Sequence, residues 1–109
     1  MVIPITGDEI VLAIIGIVRV VNPAMLKPED GDFTVDFTPL MGKPEFTAGE
    51  KLLIKLRTAS ESGSTSLDLD RNEARSLATA LQRLELVQVW PIDVLNVSLG
   101  LRARLATIT

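Results

Sequence analysis

The chain has no cysteine, no histidine and no tyrosine. Without cysteine there is no disulfide, no thiolate nucleophile and no thiolate metal site. Without histidine the usual general base near neutral pH is missing, together with the commonest zinc ligand. Aromatic residues are scarce: Trp90, Phe33, Phe37 and Phe46 are all there are. The core must therefore be Leu, Ile and Val. Basic charge is in short supply, with 11 Lys and Arg against 14 Asp and Glu and a formal charge of −3. Such a balance exerts no global pull on nucleic acid or anionic lipid.

Long hydrophobic runs are missing as well. The longest ends at Val18, where Arg19 interrupts it. A bilayer span needs roughly 20 apolar residues. No basic residue precedes the run, so it does not read as a secretory signal. The expectation is a chain of the cytoplasm or of a virion, with no signal peptide and no transmembrane helix.

What is present is apolar material in excess. Hydrophobic residues make up 47% of 109 residues, and the mean hydropathy is +0.33. That length is one domain, 1–109. So small a domain has much surface to cover, and some apolar side chains should stay outside. A homo-oligomer or a subunit of a larger complex is the natural expectation.

Residues 10–21, IVLAIIGIVRVV, are dominated by β-branched side chains, which predicts a strand. Gly16 within it marks a bulge or a close backbone approach. Asn22-Pro23 ends it. Phe33, Val35 and Phe37 alternate with polar residues, and Leu52, Ile54 and Leu56 oppose Lys51, Lys55 and Arg57, with Leu53 between them. Both stretches predict half-buried strands. Leu67 and Leu69 suggest a short returning strand after a polar loop at 59–66. Leu95, Val97, Leu99, Leu101, Ala103 and Leu105 alternate over an unusually long stretch. One helix is plain: Asp70 as N-cap, Glu73 three residues later, and a stripe of Ala74, Leu77, Ala78, Leu81 and Leu84. The expected class is β-rich α+β: a curved antiparallel sheet or small barrel of about five to six strands with one helix over about 71–85.

Asp68, Asp70 and Asn72 have the spacing that opens a calcium loop, but Glu73 stands where such a loop needs glycine. The cap accounts for these residues. Glu29, Asp30 and Asp32 cluster in a turn where carboxylates are solvated. Lys27, Lys43, Lys51 and Lys55 sit in no catalytic motif, and no phosphate-cradling glycine loop occurs. No enzyme activity, cofactor or metal is expected.

Two sets of residues remain as candidates. Ile10, Leu12, Ile14, Ile15, Ile17 and Val18, with Trp90, Leu99 and Leu101, would form a strand-borne interface if one helix covers only one sheet face. The reading is a non-catalytic structural or assembly subunit acting through protein–protein contacts. The alternative is a single-stranded nucleic-acid-binding module. Lys51, Lys55 and Arg57 share one strand face, Arg102 and Arg104 another, and neighbouring strands would join them into a basic stripe. Residues 51–85, strand, loop, short strand and helix, resemble the ending of one family of small single-stranded-DNA-binding domains. In that family a similar Thr/Ser-Leu-x-Leu segment leads into the helix. The resemblance implies nucleic-acid binding.

Overall fold

A computed structural model describes residues 1–29, 32–87 and 89–108, with backbone only at 28, 29, 32 and 33. Helices build it. Helix α1 spans Gly7–Val21, α2 Ala48–Ser62, α3 Arg71–Val87 and α4 Ile92–Ala106. The β-rich expectation is wrong. Among the described residues there is no barrel and no large sheet, only two antiparallel strand pairs. Strand β1 (Val2–Pro4) pairs with β4 (Ser66–Asp68), with Ile3 opposite Leu67. Strand β2 (Leu26–Glu29) pairs with β3 (Asp32–Val35) as a hairpin. The acidic turn of Glu29, Asp30 and Asp32 lies outside the described side chains.

Three helices start with the same device. At α1, Thr6 Oγ1 accepts from Glu9 N–H at 3.3 Å, and Glu9 Oε1 accepts from Thr6 N–H at 2.8 Å. At α2, Thr47 and Glu50 repeat the exchange at 3.2 and 2.9 Å. At α3, Asp70 and Glu73 do so at 2.7 and 3.0 Å. Each box satisfies two backbone donors that a helix start would otherwise leave unpaired. The stops are equally local. Asn22 turns α1 into Pro23, which cannot continue it. Gly63, at φ 65°, ends α2 in the left-handed conformation that glycine adopts without steric cost.

Helix α1 is the centre of the packing and touches the other three helices. Its buried positions include Ile10, Ala13, Ile14, Ile17 and Val18, a spacing of three and four that defines one helical face. The β-branched side chains overrode nothing; a helix with two well-covered sides tolerates them once packing repays their lower propensity. Helix α2 supplies Leu52, Leu53, Leu56 and Ala59, and α3 supplies Ala74, Leu77, Ala80, Leu81 and Leu84. Gly16 is a site of close approach, between two helices. A Cβ at Gly16 would lie 3.6 Å from Ala80 of α3, so the small pair brings the two axes together. Ile3, Ile5, Leu67 and Leu69 join the same core at the strand pair. Among the described residues no helix is long and apolar enough to cross a membrane.

Candidate interaction surface

The basic candidates fall on helices, so no strand face unites them. Lys51, Lys55 and Arg57 are on α2, and Arg102 and Arg104 are on α4. Four of the five face carboxylates of the same chain. Lys55 Nζ donates to Glu73 Oε1 at 2.9 Å and to the Asp68 carbonyl at 3.0 Å. Arg57 Nε donates to Glu61 at 3.0 Å, and its guanidinium lies 4.6 Å from the centre of the Phe37 ring. Arg102 Nη1 donates to Glu85 Oε2 at 2.6 Å, while Ser98 Oγ donates to Glu85 Oε1 at 2.8 Å. Lys51 is exposed. A basic stripe therefore does not form. The resemblance to single-stranded-DNA-binding domains loses its basis too, because residues 51–58 are helix.

Arg104 does something different. Its guanidinium grips both oxygens of Glu9 and donates to the Pro4 carbonyl at 2.9 Å. Glu9 is buried, with 4% of its surface exposed. Burial alone would raise its pKa. The Arg104 hydrogen bond and charge, with the Thr6 N–H, outweigh burial and hold the carboxyl below its ordinary value. The same contact raises the Arg104 pKa. This pair clamps α4 onto the start of α1 and leaves little of either charge for a ligand.

The apolar candidates divide. Ile10, Leu12, Ile14, Ile17, Val18 and Leu101 are buried in the chain's own core. The run that invited a second subunit is thus covered mainly by α2, α3 and α4. Ile15 and Trp90 are half-buried, and Leu99 is 46% exposed. The Trp90 indole N–H donates to the Leu84 carbonyl at 2.8 Å, which fixes the ring at the α3–α4 corner.

No family model, curated protein or solved structure matches this chain. The surface has to be read from its own chemistry. Asp68, Asp70 and Asn72 are taken up by the strand end and the α3 cap, and among the described residues no group of three acidic residues is placed to hold a metal. What stands out is apolar. Val11, Ile15, Trp90, Val94 and Val97 line a groove between α1 and α4. Around the α3–α4 corner Leu86, Val87, Val89 and Ile92 are exposed, Val89 by 96%. Of these residues the sequence had singled out only Ile15 and Trp90. A signal for Val11 was available: on a helical wheel it shares a stripe with Asp8 and Ile15, to one side of the face defined by Ile10, Ile14 and Ile17.

Proposed function

We propose that the chain is a non-catalytic assembly subunit that works through protein–protein contacts, in a homo-oligomer or a larger complex of the cytoplasm or of a virion. The observation that carries this reading is the apolar material left outside: the groove lined by Val11, Ile15 and Trp90, and the exposed Val87, Val89 and Ile92 at the α3–α4 corner. Soluble monomers rarely leave contiguous apolar patches of more than a few hundred Å² in water. Interfaces place such side chains at their centre and polar groups at the rim, and here Asp8 and Asp93 border the groove. The alternative use of Lys55, Arg57, Arg102 and Arg104 on nucleic acid would require breaking the ion pairs just described.

Sedimentation and light scattering at micromolar concentration, with pull-down by the purified chain, test the proposal. Assembly that weakens when Val89→Asp and Ile92→Asp are introduced is the expected result. A strict monomer that joins no other protein overturns it.

A further inference from the structure

We propose that the exposed face of α1 is one half of a two-fold interface, and that its occupant is α1 of a second copy running antiparallel. The inference rests on the assembly reading and gives it a partner and a geometry.

The face is polar along its length in a particular order. At one end lie Asp8, in the first turn of α1, and Asp93, in the first turn of α4. Both border the groove that holds Val11 and Ile15. At the other end lie Arg19 and Arg83, which share the adjoining depression with Val20 and Val87. Asp8 and Arg19 are eleven positions apart, or about 16 Å along a helix rising about 1.5 Å per residue. That exceeds the Debye length of about 8 Å at physiological salt, so the two ends keep opposite fields within one chain. The side chains of Asp8, Asp93 and Arg83 make no hydrogen bond or ion pair among the described residues, whereas most described carboxylates do.

A surface that is acidic at one end, apolar in the middle and basic at the other is complementary to itself when reversed. A two-fold axis crossing α1 midway between Asp8 and Arg19 passes between residues 13 and 14, within the stretch that carries Val11 and Ile15. It sets Asp8 against Arg19 of the second copy. Because Asp93 shares its depression with Asp8, and Arg83 shares its depression with Arg19, the same reversal lays the Asp93 end over the Arg83 end of the second copy. A parallel arrangement would place acid on acid and base on base, at a cost. Isologous contacts of this kind close at two subunits. The helix macrodipole explains why acids stand in first turns and Arg19 in a last turn. It does not explain Arg83, which lies outside the last turn of α3.

The test is an exchange of charges. One variant carries Asp8→Lys with Asp93→Lys, the other Arg19→Glu with Arg83→Glu. Sedimentation equilibrium of the unaltered chain should give a reversible dimer of the 11.8 kDa protomer. Each variant alone should dimerise at least about tenfold more weakly, since like charges then face each other. Mixed together, the two should form a heterodimer about as tight as the original homodimer, which loss of structure cannot produce. Circular dichroism confirms folding. Arg19 is half-buried. If its replacement unfolds the chain, Asp93→Lys and Arg83→Glu, alone and mixed, carry the same exchange at exposed positions. A mixture no tighter than either variant overturns the two-fold. So does an oligomer indifferent to these charges, or a monomer that instead binds other proteins; both leave the assembly reading intact. A monomer that binds nothing overturns both.

Discussion

Helices α1 and α4 are both 15 residues long, yet they are held by opposite means. Helix α1 starts in a capping box and buries eight residues against three other helices. Helix α4 starts at Pro91 with no side-chain cap and buries only Ser98, Leu101 and Leu105. Its attachment relies on charge: Arg102 and Ser98 to Glu85, and Arg104 to Glu9. The difference teaches where the molecule is sensitive. Apolar packing is indifferent to pH and salt to first order, whereas an ion pair with a buried carboxylate is not.

The largest effect should come from the apolar side of this contrast. Leu53→Ala, on the buried face of α2, should cost about 3 kcal/mol and lower the melting temperature by roughly 15 °C, read by calorimetry. A loss under about 1 kcal/mol would mean that the core around α2 is loosely packed. Next comes the clamp. Glu9→Gln leaves Arg104 without its carboxylate and should cost about 2 kcal/mol at pH 7 in urea titrations. The pH dependence has a definite sign. The Glu9 pKa is lowered in the folded chain, so its stabilisation is full above the ordinary value of 4.5 and is lost as pH falls below it. The variant should have a shallower acid slope between pH 5 and 3, the remainder including Glu50, whose pKa Lys43 and the Thr47 N–H also lower. Equal slopes would show that the clamp contributes nothing. A smaller effect should appear in hydrogen exchange. Amides of α4 should exchange at least about tenfold faster than those in the middle of α1, because fewer apolar contacts must open. The smallest change sharpens the α1–α3 contact. Gly16→Ala has room beside Ala80 and removes a helix penalty, so it should raise stability by about 0.5–1 kcal/mol.

The contrast also separates what was legible in the sequence from what was not. Helix α3, with its Asp70–Glu73 box and alanine-lined stripe, is where 71–85 predicted it, extended to Val87. The short strand at 67–69 also has its counterpart in β4. The other three helices were misread as strands. The boxes at Thr6–Glu9 and Thr47–Glu50 were in plain view and carry the same signal as Asp70–Glu73. Propensity misled at α1, where Ile and Val outnumber helix formers but packing decides. At α2 the alternation of Leu52, Ile54 and Leu56 hid the helical set Leu52, Leu53, Leu56 and Ala59; Leu53 was the residue that did not fit a strand. At α4 alternation ran from Leu95 to Leu105, longer than strands usually are, and the buried positions are Ser98, Leu101 and Leu105 instead. The surface was harder to read than the fold. Which apolar residues stay outside depends on which helices meet α1, and that is a tertiary fact.

The Glu9–Arg104 contact joins residues 95 positions apart. Closing a loop of that length costs on the order of 4 kcal/mol in chain entropy, so it follows the local helices instead of nucleating them. During synthesis the order is stricter still. The most apolar helix is made early, while the arginine that neutralises its buried carboxylate is made some ninety residues later. Until α4 docks, a nascent chain displays an uncovered carboxylate beside a strip of isoleucine and valine. That exposed combination is a mark of unfinished synthesis, and docking of α4 erases it.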